Sequence, residues 1–231
     1  MNNINLSVRI ITKIFWEIIL SEDEFVTSAD KTKLFDNLIS LENLRNKADY
    51  NTGSIGLSQA YLLYLFLKYF KPIKIIEIGT FIGRSTISMA SAIETYSDKG
   101  EIYTCDFSND IKLPWNGKCK IKQFPKTKSG EMLNNLKGEY DLVFIDGRIS
   151  DEELSTFESL INQNTIIILD DFEGIEKGVI NLTKLRKINK LNQHFQINTT
   201  PEKLLTKYNL RTHSLMGALV PITLFRFTNQ G

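Results

Sequence analysis

The chain has 231 residues, 42% of them apolar and 24% charged, and 28 Lys+Arg against 27 Asp+Glu leave a formal net charge of +1. That length suits one large domain, or a domain with an extension, and buries enough apolar surface to fold without staples. The composition excludes a disordered chain, and the balanced charge excludes a general basic coat for nucleic acid or an anionic membrane, leaving only a local basic patch open.

The first segment reads as helix. Ile4, Val8, Ile11, Phe15, Ile18 and Ile19 recur at three- and four-residue spacing and line one face, while Arg9, Lys13 and Glu17 form a polar one. The charges break any run of about 20 apolar residues, so neither a membrane span nor an export signal is expected, and the reading is a cytoplasmic protein. A second helix is predicted over 30–44, a polar break over 49–56, and a very apolar third helix over Leu57–Phe70, stopped by Pro72. The chain thus divides into an N-terminal helical extension, 1–56, and a main domain, 57–231. The extension has three readings: a substrate lid, a surface for a homodimer, or packing for the core. Two cysteines, Cys105 and Cys119, are too few for a disulfide framework or a zinc site. They read as buried free thiols, with a single bridge as the alternative.

From Lys71 short β-branched runs alternate with helices. Strands are predicted at 74–79, 101–106, 118–124, 140–146 and 165–171, with helices over 84–95, 130–136, 151–161 and 175–187. Near-continuous apolar strands alternating with helices predict a Rossmann-like α/β fold, a doubly wound, mostly parallel sheet covered on both faces. Runs at 194–199 and 218–228 lack a clear helix between them and predict an antiparallel close, constrained by Pro221. The segment 107–117, broken by Pro114, leaves little room for a helix; its Trp115 either covers the sheet or borders a ligand.

Ligands in such sheets bind outside the carboxyl ends of the strands. Here successive strands end in acid: Glu77 before Gly79, then Asp106, Asp146 and the pair Asp170-Asp171. Carboxylates at the rim of a buried sheet are costly unless solvated, capping a helix or holding a ligand. The first turn, EIGTFIGRS, carries Gly79 and Gly83 but neither G-x-G-x-x-G nor Gly-Lys-Ser/Thr, which disfavours a nicotinamide or Walker-type site. By itself the glycine pair is equally a tight turn. Asp106 sits where an acid accepts the hydroxyls of a ribose, with a turn cap as the plainer reading.

The ordered set EIGTFIGRS, YTCD, YDLVFIDG and IIILDDFEG resembles class I S-adenosylmethionine-dependent methyltransferases, closest to the catechol and caffeoyl-CoA O-methyltransferase-like group and related bacterial small-molecule enzymes. The likeness covers about residues 57–228. It implies S-adenosylmethionine as cofactor and a small-molecule methyl acceptor, with no nucleic acid or membrane partner. Glu77, Gly79, Gly83 and Ser85 then match the cofactor loop, with Ser85 near the methionine carboxylate, and Asp106 holds the ribose. Ser129 and Gly130 match the adenine segment, Arg148 the position that stacks on it, and Gln59 the entry segment. Asp146, Asp170 and Asp171 match a divalent-metal site, Asp171 replacing the usual Asn; such hard ligands suit Mg²⁺ or Mn²⁺. The alternative is that Asp170 and Asp171 cap the next helix. The Lys or His that relatives place three residues after the first metal Asp is Ile149 here, so Asp171, His213 and a metal-activated substrate oxygen stand as candidates for the base. The rivals to a metal-assisted O-methyltransferase are a metal-independent N- or O-methyltransferase acting on an amine or sugar, and a non-catalytic nucleoside-binding scaffold.

Overall fold

The computed structural model describes residues 2–48, 53–108, 110–172, 177–210 and 216–224, with side chains of the first helix from Val8 onward. The helix α4 (Leu57–Phe70) ends where Lys71 turns left-handed at φ 54° and Pro72 follows. From there the chain lays down β1 (Lys74–Ile78), β2 (Glu101–Cys105), β3 (Lys120–Phe124), β4 (Leu142–Ile145), β5 (Ile166–Leu169), β6 (His194–Ile197) and β7 (Gly217–Pro221). They form one seven-stranded sheet in the order β3-β2-β1-β4-β5-β7-β6. The first five strands are parallel, and β7 runs antiparallel between β5 and β6. The doubly wound sheet with an antiparallel end is as the sequence predicts.

Alternation along the strands builds two cores. Ile75, Ile102, Leu142, Phe144, Ile166 and Ile168 face the helices α1 (Asn2–Ser21), α2 (Ser28–Ser40), α4 and α5 (Arg84–Glu94). Ile76, Ile78, Val143, Ile145, Ile167 and Leu169 face α6 (Ser129–Asn135), α7 (Leu154–Leu160) and α8 (Lys177–Leu185). Burial on both faces accounts for the unbroken apolar runs of β4 and β5.

The N-terminal helices share the first core. Phe15, Trp16, Ile19 and Leu20 of α1 are buried there, and the Trp16 indole N–H donates to the Asn198 carbonyl at 2.8 Å. Ile18 departs from its expected place. It is 40% exposed, because it follows Ile10 and Ile14 at four-residue spacing along the outer side of α1. The second predicted helix begins earlier, where Thr27 Oγ1 accepts from the Asp30 N–H at 3.1 Å, and breaks at Leu41 before the short α3 (Glu42–Arg45).

Two further differences lie at the end of the chain. A short helix, α9 (Glu202–Lys207), stands between β6 and β7, and β7 stops at Pro221 instead of running to 228. Proline has no N–H for the ladder, and a 3-10 turn over Ile222–Leu224 follows it; residues 225–228 of the predicted strand lie outside the described residues. Between β2 and β3 no helix occurs among the described residues, as the broken 107–117 segment implies. Among the described residues no helix is long and apolar enough to cross a membrane.

Candidate active site

Register makes the site. Ile78 pairs with both Cys105 and Ile145, and Ile145 with Leu169, so the next residues, Gly79, Asp106, Asp146 and Asp170, emerge level at the carboxyl edge. The chain winds from β1 outward to β3 on one side and from β4 outward on the other, so the strand order reverses between β1 and β4. A cavity of about 890 Å³ opens there, within the usual size of small-molecule sites.

The glycine turn shapes its floor. Gly79 (φ 105°), Phe81 (φ 44°) and Gly83 (φ 80°) are all left-handed. A Cβ on Gly79 would stand 3.2 Å from the Asp146 backbone, so this residue brings β1 against β4 at the switch point. The N–H groups of Gly79 and Thr80 donate to the Cys105 carbonyl at 3.0 and 3.1 Å, locking the turn to β2. Asp106 completes the lock. Its Oδ2 accepts from the Phe81 N–H at 2.7 Å and its Oδ1 from Ser108 N–H and Oγ at 2.9 Å, so the carboxylate is fixed at the cavity wall.

Glu77 stands elsewhere. It is fully buried beneath the turn, accepting from Ser85 Oγ and Thr86 Oγ1 of α5 at 2.5 Å each. Burial pushes its acid up to about 7, against the pull of these hydroxyls. Ser85 is therefore engaged with Glu77 and does not line the cavity. Gln59, Gly83 and Gly130 also stand outside the wall; the Gln59 side-chain amide donates to Asp170 Oδ1 from behind. Ser129 and Arg148 do line it, and Ser129 Oγ donates to Glu153 Oε1 at 2.8 Å, tying α6 to the start of α7.

At the other end of the cavity Asp146, Asp170 and Asp171 offer carboxylate oxygens within 4.8 Å of one another. Asp171 is left-handed at φ 49°. Into this group reaches Lys177, the first residue of α8. Its ammonium donates to Asp146 Oδ1 at 2.8 Å, to the Asp146 carbonyl at 3.0 Å, and lies 2.8 Å from Asp171 Oδ2. Burial, followed by the neighbouring Asp170 charge, holds the Asp146 acid well above the usual carboxylate range, and Lys177 pulls against both. The Lys177 amine is depressed by its own burial but lifted further by Asp146 and Asp171, and stays protonated.

Of the residues expected at the site, Gly79, Asp106, Ser129, Asp146, Arg148, Asp170 and Asp171 line one cavity, and Gln59, Glu77, Gly83, Ser85 and Gly130 pack behind it. His213 lies outside the described residues. The expected acidic pocket is largely balanced, since Lys128, Arg148, Lys177 and Lys184 share the wall with the acids. Sequence reasoning missed Lys177, Glu153 and the 53–55 strip, which also lines the cavity. Cys105 lines it too, but burial pushes its thiol up to about 12, leaving it unreactive. Both cysteines are buried and free. Trp115 packs against the core, its indole N–H donating to the Cys119 carbonyl at 2.8 Å.

This strand order, with the site at its switch point, defines a Rossmann-like methyltransferase fold. A family model described as a methyltransferase domain matches residues 76–172. Residues 76–172 thus match a methyltransferase domain, and the resemblance to class I S-adenosylmethionine-dependent methyltransferases is borne out. Similar solved structures include an O-methyltransferase from Bacillus cereus in complex with SAH (17% identity, 85% of this chain and 99% of that one, TM-score 0.55). Another is the O-methyltransferase TomG from Streptomyces achromogenes, involved in tomaymycin synthesis, in complex with SAM (17% identity, 80% and 89%, TM-score 0.54). A third is a methyltransferase from Geobacter sulfurreducens (13% identity, 89% and 96%, TM-score 0.53). At these identities the likeness is one of fold. No curated protein matches the sequence.

Proposed function

We propose that the chain transfers the methyl group of S-adenosylmethionine to an oxygen of a small molecule. The observation that carries this is the fixed Asp106 carboxylate, level with the glycine turn at the switch point of a methyltransferase fold. The donors and acceptors fit such a cofactor. Asp106 would accept from the ribose hydroxyls, Ser129 and Arg148 would border the adenine side, and Gly79 and Phe81 would face the amino-acid end. Gln59, Glu77, Gly83, Ser85 and Gly130 shape the wall from behind. When bound, the cofactor supplies a sulfonium-activated methyl group.

The chain's own part is positioning, which accounts for a large share of such barriers. Residues 53–55, just before α4, line the cavity, giving the N-terminal extension 1–56 a share in covering the acceptor. Asp171 presents its carboxylate at the acceptor end and receives the proton the acceptor oxygen loses; His213 is the second candidate for that proton. The three carboxylates have the right chemistry for a divalent ion, but the space among them is taken by the Lys177 ammonium, so no step here passes through a metal. A homodimer belongs to the same reading, with a second copy covering the Ile10, Ile14 and Ile18 stripe of α1. Sedimentation velocity of the wild type and of Ile14→Glu reads it; a monomer in both removes the dimer.

The activity is tested by single-turnover transfer of labelled methyl to a panel of hydroxylated and amine metabolites. Labelled O-methyl product is expected. Product only on nitrogen transfers the reading to N-methylation, and cofactor binding without transfer to any acceptor favours the scaffold.

A further inference from the structure

The Asp146, Asp170 and Asp171 cluster already contains a cation. The ammonium of Lys177 has three N–H donors, and three acceptors meet it: Asp146 Oδ1 at 2.8 Å, the Asp146 carbonyl at 3.0 Å and Asp171 Oδ2 at 2.8 Å. Its side chain is 29% exposed, so it lies within the site and not on the solvent surface. The third carboxylate, Asp170, is buried and accepts from the Gln59 amide. Two of the acids are thus bridged by one lysine, and the third is held by a neutral donor from α4.

The local architecture places the lysine there. Gly178 follows it, and its N–H donates to the Asp171 carbonyl at 3.2 Å. A Cβ at 178 would stand 2.8 Å from that carbonyl oxygen and closer still to that of Asp170. Only a glycine lets the start of α8 press against the strand end, and that approach delivers the preceding side chain into the carboxylates. A divalent ion would draw carboxylate oxygens in to about 2.0–2.6 Å. An ammonium already bonded to two of the three side chains competes for those carboxylates and repels a second cation among them.

We infer that Lys177 is the resident cation of this site, a positioning residue that holds Asp146 and Asp171 in place of a divalent metal, so that methyl transfer here is metal-independent. The inference rests on the methyltransferase reading for its catalytic half alone. Occupancy of the carboxylates is a property of the folded chain, with or without cofactor.

The test is a titration of the full chain with Mn²⁺, followed by electron paramagnetic resonance, in the wild type, Lys177→Ala, Lys177→Gln and Lys177→Arg, each checked for folding by circular dichroism. The wild type and Lys177→Arg are expected to bind no Mn²⁺ at this site, whereas Lys177→Ala and Lys177→Gln uncover the acids and bind it at least tenfold more tightly. Wild-type methyl transfer should be unchanged by EDTA. That of Lys177→Ala should fall at least tenfold and be restored in part by Mg²⁺, a rescue that a merely structural lysine would not show. Mn²⁺ bound by the wild type as tightly as by Lys177→Ala overturns the inference, and needs no variant beyond the comparison to be seen. The Mn²⁺ readout uses no cofactor, so absence of methyl transfer would count against the proposed activity and leave the resident cation standing.

Discussion

Asp106 and Glu77 show how one functional group, the carboxylate, does opposite work at one edge. Asp106 follows its strand and faces the cavity, whereas Glu77 lies within β1 and faces α5. A carboxylate's bonds to two ribose hydroxyls are worth about 1.5–3 kcal/mol each. Asp106→Ala is therefore expected to weaken cofactor binding by about a hundredfold or more, read by calorimetric titration. Glu77 predicts a pH signature instead. Its acid stands at about 7 when folded against 4.5 in the ordinary state. A raised value means the folded chain binds the proton more tightly, so this stabilisation is complete below pH 4.5 and is lost as pH rises through 7. Glu77→Gln removes that loss. Between pH 4 and pH 8 the stability of the variant relative to wild type should improve by on the order of 3 kcal/mol in urea unfolding. An unchanging difference would mean that Glu77 does not titrate as its burial requires.

Between elements, close approach and a buried guanidinium connect the site to its surroundings. Gly178→Ala forces α8 away from the Asp170 and Asp171 carbonyls, with an overpacking cost of about 1–3 kcal/mol and a displaced Lys177. Chemical denaturation measures the first effect, and Mn²⁺ uptake the second. Arg84, in the first turn of α5, is 8% exposed; its Nη1 donates to the Ile55 carbonyl at 2.7 Å and its Nη2 pairs with Glu42 of α3. Its neighbour Arg45 lies over the Phe81 ring, 5.1 Å from the centroid. The N-terminal helices are thereby coupled to the glycine turn. Arg84→Met should cost about 1–3 kcal/mol, moderated because the Arg84 Nε finds no partner among the described residues. Cofactor affinity should fall with it, since the same contact braces the turn.

These cases also mark what a reader of the sequence could see. Acids placed just after apolar runs, as in YTCD and FIDG, announced a rim, because strand ends are visible in a run's own composition. The inward direction of Glu77 was legible in principle, since period two sets it on the face of Ile75 toward α5. Lys177 carried no local sign. Its place depends on Gly178 and on the pairing of β4 with β5, which are relations between distant segments. The missed α9 is short and ties its last turn by local bonds at Tyr208, too brief for periodicity to reveal.

At the scale of the whole molecule the net charge of +1 conceals a balanced pocket, and the N-terminal extension is part of the main core. Trp16 is 1% exposed and joins α1 to β6 through Asn198. Trp16→Ala should cost about 3–5 kcal/mol, as for any fully buried aromatic, and thermal unfolding should remain one transition. A separate early transition would make the first helices an independent unit. The central claim, a nucleoside cofactor held at the switch point by Asp106, is tested most directly by titrating S-adenosylhomocysteine into the wild type and Asp106→Ala in a calorimeter. One site per chain in the wild type, lost in the variant, is the predicted result. No binding to the wild type, or equal affinity in both, contradicts it.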